Sequence, residues 1–211
     1  NSSYYILILQ SNKINIDLAT ISKFSSISLP KINTLERNNW QILWSNMIDY
    51  YETQIGENSK KYPLIRESFD YFIGLAENAI SYLTYTKKET PKTIYDNKVL
   101  SHNNLYHSLE DPLNIIIDHK SRDLAEYIKI SFFNNNKNIF QELDNYFYYQ
   151  KYSDYGIRVL FSRILYPSFY FKIYNDIIQG IINEKELNKI INNIDKYEIY
   201  IYKIYIYLKK Y

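Results

Sequence analysis

Apolar and polar positions along this chain fall into long stretches with a helical period, interrupted by a few short continuous apolar runs. Tyr4 to Leu9 (YYILIL) is continuous rather than alternating, which predicts a strand covered on both faces. Residues 12–16 allow a second short strand. Asp17 then offers a helix cap before Leu18, Ile21 and Phe24, and Pro30 closes that unit. With Thr34 as cap, Trp40, Leu43, Trp44, Met47, Ile48, Tyr51 and Ile55 recur at steps of three and four. They predict one apolar stripe on a helix over 35–56, stopped by Gly56 and Asn58. Pro63 suits the first position of a second long helix reaching Thr86, with Ile65, Phe69, Phe72, Ile73, Ala76, Ile80 and Leu83 on one face. Gly74 inside it implies close packing there, because a mid-helix glycine costs about 1 kcal/mol against alanine. Residues 87–97 read as a polar loop.

The pattern changes between Lys98 and Lys129. Val99 and Leu100 run into the polar loop His102-Asn103-Asn104, and Pro112 breaks the chain. Ile115, Ile116 and Ile117 form a β-branched run too short for a helix, and it ends on Asp118. Ser121 offers a cap for the next helix, with Asp123 and Glu126 in its first turns, where carboxylates complement free amide groups. Helices follow over 121–133, 137–150 (after the Asn134–Asn136 run) and 153–165 with Ser153 as cap, the last stopped by Pro167. Another runs from Ser168 to Gly180, and a final element runs from Glu184 to the C-terminus. The Ile/Tyr alternation of 197–211 also has a strand's period, but it continues a helical pattern without a breaker, so helix is preferred. The expected fold is α+β, mostly α, with a few short strands and about seven or eight helices.

Composition changes this picture little. A formal charge of +2 over 211 residues implies no bulk attraction to nucleic acid. The absence of cysteine excludes disulfides and thiolate metal sites. No stretch approaches the roughly 18–20 apolar residues of a membrane span, and no secretory leader is legible, so a cytoplasmic protein is expected. The abundance of Asn, Ile, Lys and Tyr follows AT-rich codons, which weakens arguments from the tyrosines.

The 98–129 segment carries the candidate chemistry. A zinc site from His102, His107 and His119 with Asp118 lacks the spacing of a helical zinc motif. No G-x-S-x-G elbow and no glycine-rich phosphate loop is present. Phosphoryl transfer fits better: a His-led polar loop followed by a strand ending in Asp supplies part of what positions a nucleophile and a metal. The plain structural alternative is that Asp118 caps a turn and Asp123 complements a helix N-terminus.

Four blocks carry a family resemblance: NNWQILWSNMIDYYE (38–52), ESFDYFIGLAENAISYL (67–83), VLSHNNL with NIIIDHKSRDLAEYIK (99–129), and YGIRVLFSRILYPSFYF (155–171). In this order they resemble the C-terminal lobe of the aminoglycoside-phosphotransferase and choline-kinase-like superfamily. More narrowly, they resemble kinase-like spore-coat-associated proteins of the YutH and CotS type. The resemblance implies a hinge-side strand in 1–16 and a helical kinase-like lobe over 17–211, with the nucleotide-binding lobe largely absent. By position, His102 matches the histidine opening the catalytic loop. Asn104 falls where active members carry the catalytic aspartate, Asp118 matches the magnesium-binding aspartate, and Asp123 matches the acid bracing the loop. Leu109 stands where a metal-binding Asn is expected, with Asn114 further on. ATP and magnesium are the cofactors an active member would use. The reading is a degenerate kinase-like protein, a binding or assembly component with coat proteins as partners. The alternatives are an active small-molecule phosphotransferase and a helical interaction module.

Overall fold

The structure is a computed structural model, and it describes residues 16–30, 33–86, 95–105 and 111–211. The strands expected at 4–9 and 12–16 and most of the 87–97 loop lie outside the described residues, as do His107 and Leu109. Among the described residues the fold is mostly α, with one two-stranded antiparallel sheet.

The helices are α1 (Leu18–Ser25), α2 (Trp40–Lys61), α3 (Pro63–Thr86), α4 (Ser121–Phe133), α5 (Ile139–Tyr149), α6 (Asp154–Leu165), α7 (Ser168–Ile178), the single turn α8 (Asn188–Ile191) and α9 (Ile194–Leu208). Strands β1 (Lys98–His102) and β2 (Ile115–His119) pair with Leu100 opposite Ile117 and Ser101 opposite Ile116. The 197–211 segment is therefore helical, as its unbroken pattern implied.

Each helix forms where an apolar face finds a partner. α3 packs against both α2 and α6, and α4 packs against α6. Ile65, Phe69, Phe72, Ile73, Ala76 and Leu83 of α3 are buried, and stacked rings join the layers: Phe72 on Tyr170 at 4.0 Å, Tyr51 on Phe171 at 4.6 Å and Trp44 on Tyr166 at 4.4 Å. Such pairs add roughly 0.5–1.5 kcal/mol beyond the area they bury.

Several boundaries differ from the sequence reading. The helix expected at 35 begins at Trp40. Thr34 sits in a short 3₁₀ turn (Asn33–Leu35), and Asn39 turns the chain with φ 55°, a left-handed conformation that Asn tolerates. The segment before it lies along β2, where Arg37 N–H donates to the Ile117 carbonyl at 2.8 Å, so strand-like pairing competes with helix there. Gly56 and Asn58 do not stop α2, which continues to Lys61, with Asn58 tied to the Tyr174 hydroxyl at 2.9 Å. Leu43 and Met47 of the α2 stripe are exposed. A Cβ on Gly74 would meet nothing within 4 Å, so close packing does not account for that glycine. Ser121 is the first residue of α4 rather than its cap, and its hydroxyl instead faces His119 Nδ1 at 2.7 Å. The last element is broken: a 3₁₀ turn and α8 precede α9.

Candidate functional site

β1 ends on His102 and β2 on Asp118–His119, and because the strands are antiparallel His102 stands opposite Ile115 while Asp118 stands opposite Val99, at the other end of the pair. The strand residues from Val99 to His102 and from Ile116 to Asp118 are buried, which leaves little freedom for these side chains.

His102 and Asp123 meet in a buried pair. The Asp123 carboxylate accepts from the His102 ring Nδ1 at 2.6 Å and from its backbone N–H at 3.0 Å. Asp123 stands in the first turn of α4, so one carboxylate joins that helix to the end of β1. Phe24 of α1 covers the imidazole, ring centroids 4.2 Å apart.

The loop beyond His102 is held through its backbone. Arg122 donates from Nε to the His102 carbonyl at 2.9 Å and from Nη2 to the Asn103 carbonyl at 2.7 Å. The Asn114 carbonyl accepts from Asn103 N–H at 2.7 Å. Its side-chain amide then pairs both ways with the Asn104 backbone, accepting at 2.8 Å and donating at 2.9 Å. Asn114 thus serves the loop as a stretch of neighbouring strand would. Asn104 lines a cavity of about 430 Å³ that also reaches Trp40, Arg122, Glu126, Lys129 and Arg163.

Asp118 is engaged by protein groups. Its Oδ1 accepts from Trp40 Nε1 at 2.7 Å, from His119 N–H at 2.7 Å and from Arg163 Nη2 at 2.8 Å. Arg122 Nη1 stands 3.8 Å from Oδ2. Both guanidinium groups also lie over the Trp40 indole, at 4.7 Å (Arg122) and 4.4 Å (Arg163). The Asp118 and Arg163 side chains are only 1% and 5% exposed. Burial pulls the Arg163 pKa down and the Asp118 charge works against that pull.

This donor set does not fit a magnesium ion. One carboxylate oxygen already takes three donors, and two cations stand against the group. Magnesium requires oxygen ligands in near-octahedral array. Among the described residues, no group of three or more His, Cys, Asp or Glu is placed to hold a metal.

Two buried cations escaped the sequence reading as site residues. Lys129 donates to the Arg163 carbonyl (3.0 Å), the Tyr166 carbonyl (3.0 Å) and the Ser168 hydroxyl (2.7 Å), and pairs with Glu126 at 2.7 Å. It satisfies the free carbonyls at the C-terminal end of α6, where a cation is favoured. Burial lowers its pKa, opposed by Glu126. Arg163, the second, sits on the same buried face of α6 as Leu160 and Ile164. A cation inside an apolar stripe was the available signal for both.

His119 does not join the other described histidine. Ser121 N–H donates to its Nδ1 at 3.2 Å, so that nitrogen is an acceptor and Nε2 carries the proton. Burial, with Arg163 and Lys120 nearby, pushes its pKa down to about 3. It is a half-buried ring, and among the described residues it belongs to no metal cluster.

A mostly helical α+β fold, built round a hairpin that carries a buried His–Asp pair and a buried Arg–Asp pair, is the class of protein these features define. Comparison with known proteins then supplies the family. This chain belongs to the family described as "Spore coat putative kinase YutH", which matches residues 9–204. It is 30% identical over 183 residues to the endospore coat-associated protein YutH of Bacillus subtilis (strain 168). That similarity covers 75% of this chain and 53% of the relative, so the chain spans about half of that protein's length. No solved structure matches the chain. Among the described residues, no helix is long and apolar enough to cross a membrane.

Proposed function

We propose that this chain is a degenerate, kinase-like component of the spore coat that works by binding or assembly rather than by phosphoryl transfer. Residues 17–211 would form its kinase-like lobe and 1–16 the hinge side. The observation that carries this reading is the state of Asp118: its carboxylate is neutralised by Arg163 and bonded by Trp40, where a phosphotransferase needs it facing a metal. Asn104 adds to it, since an amide cannot accept a hydroxyl proton as a carboxylate does. The firmly tied 102–104 backbone supports a structural role for what would be a catalytic loop.

The coat assignment rests on family membership and on the printed name of the relative. Coat proteins are accordingly the expected partners, and nucleic acid is not.

The test is ATP turnover by the chain with magnesium and a panel of hydroxyl-bearing acceptors, beside the Asp118→Ala variant. The expected result is background turnover in both. Magnesium-dependent transfer that disappears in Asp118→Ala would overturn the reading in favour of a working phosphotransferase.

A further inference from the structure

The last helix, α9, has two apolar faces. Tyr197, Ile201, Ile204 and Leu208 are buried against the core. Ile199, Tyr202 and Ile206 are 57%, 64% and 45% exposed on the other side. With about 3.6 residues per turn, these three fall within roughly a quarter of the helix circumference. Asp195 precedes them on the same line and Lys210 follows it at the far end. Beside the stripe, α3 and α9 wall a groove of about 610 Å³, with Phe161 and Leu165 of α6 between them. Tyr202 stands on one wall and Gly74 on the other, where a Cβ would enter open space. The glycine therefore widens the groove.

Charge on this face is sorted by end. Asp195 and Glu198 lie at the start of α9, with Asp70 across the groove. Glu198 accepts from the Tyr71 hydroxyl at 2.8 Å, and among the described residues none of the three acids has an ion-pair partner. Lys209 and Lys210 lie at the other end, over the Tyr205 and Tyr207 rings at 4.4 and 4.8 Å. Helix polarity alone favours acids first and lysines last. It does not account for an exposed apolar stripe centred between them.

Turned end for end, this face complements itself. A two-fold axis between Tyr202 and Lys203 sets Ile199 of one copy opposite Ile206 of the other, and Asp195 opposite Lys210, each pair occurring twice. Glu198 and Lys209 share the flank that borders the groove. Two cations do not fit the scheme. Lys196 is drawn back to Asn193 Oδ1 at 3.4 Å. Lys203, beside the axis, meets its own counterpart and must reach out to water, which limits the strength of the pairing.

We propose that two copies of this chain associate through antiparallel pairing of their α9 helices. The surface involves neither Asp118 nor the 102–104 loop, so its test is independent of the test for phosphoryl transfer. A three-residue stripe with its flanks is smaller than the roughly 1,600 Å² of a stable interface, so a reversible dimer is expected, with a Kd of about 5–100 μM. Sedimentation velocity of the full chain from about 1 to 200 μM brackets that range. Ile206→Asp, at an exposed position, sets a carboxylate against the partner's Asp195 and the partner's Glu198. It weakens association at least about tenfold with circular dichroism unchanged. Asp195→Lys and Lys210→Asp each weaken it at least about threefold, and the double variant returns to within about twofold of the wild type. Both changes oppose the helix dipole, so a role confined to one helix would leave the double variant the worst of the three. A chain that stays monomeric at about 200 μM, an Ile206→Asp variant that dimerises as the wild type does, or a double variant no better than its parents overturns the proposal.

Discussion

Arg163→Met isolates the interaction on which the site depends. The substitution keeps an unbranched side chain in a buried position but removes the guanidinium bonded to Asp118 at 2.8 Å. Removing one partner of a buried ion pair costs about 3–5 kcal/mol, because the remaining charge is left in a poor solvent. Two things moderate the cost here. Asp118 keeps its bonds from Trp40 and from the His119 N–H, and Arg122, 3.8 Å away, needs only a small movement to reach Oδ2. The lower end, about 3 kcal/mol, is therefore expected. For a chain of this size that lowers the melting temperature by roughly 6–12 °C. Asp118→Asn preserves an acceptor for Trp40 and His119 but removes the charge that faces Arg163, so it too costs about 3 kcal/mol, the lower end. Urea denaturation of the two single variants and the double variant closes the cycle. The double variant is expected near the cost of Arg163→Met alone, a coupling of at least about 2 kcal/mol. Additivity within about 0.5 kcal/mol would refute the argument that the two groups stabilise each other.

Two further outcomes follow from the neighbouring geometry. His119 is half-buried with its pKa near 3, whereas the unfolded chain has the ordinary 6.5. The unfolded state therefore binds more protons below 6.5, and stability is complete above that pH and falls as pH drops toward 3. The loss amounts to about 2 kcal/mol by pH 5, and His119→Asn, which keeps an acceptor for Ser121, should remove that part of the acid sensitivity in urea titrations. An unchanged difference between pH 7.5 and pH 5 in this variant would contradict the assignment. Gly156→Ala drives a Cβ against Asp96 Oδ1 and to 3.1 Å from Tyr152, while the Ser153 hydroxyl holds Asp96 by its other oxygen at 2.5 Å. A destabilisation of about 1–3 kcal/mol is expected despite alanine's better helix propensity, with partial recovery on adding Asp96→Ala; a stabilised Gly156→Ala would show that the contact yields freely.

The strand–loop–strand–helix order of 98–129 was legible because a β-branched run of three between breakers leaves few alternatives. Most helix faces were legible for the same reason, since their apolar period is set by local spacing. Other features depended on contacts far away in sequence. Trp40 looks like one more member of a core stripe, yet its indole N–H serves an acid 78 residues later. Arg163 meets Asp118 across 45 residues, a pairing no local spacing reports. Asn114, which sequence position offered only as a displaced metal ligand, proves to bind the Asn104 backbone. Gly56 and Asn58 have the chemistry of a helix stop, but packing of α2 on α3 carries the helix past them. No periodicity brings His102 to Asp123 across 21 residues; their 2.6 Å contact forms where the end of β1 meets the first turn of α4.

The central claim is that Arg163 stands where a metal-dependent enzyme would keep a cation. Manganese reports this directly, because free ion gives a strong electron paramagnetic resonance signal that binding suppresses. In a titration of the chain with manganese and ATP, the account expects the free-ion signal to match that of a protein-free solution containing the same ATP. Additional suppression by the wild-type chain that disappears in Asp118→Ala would contradict it.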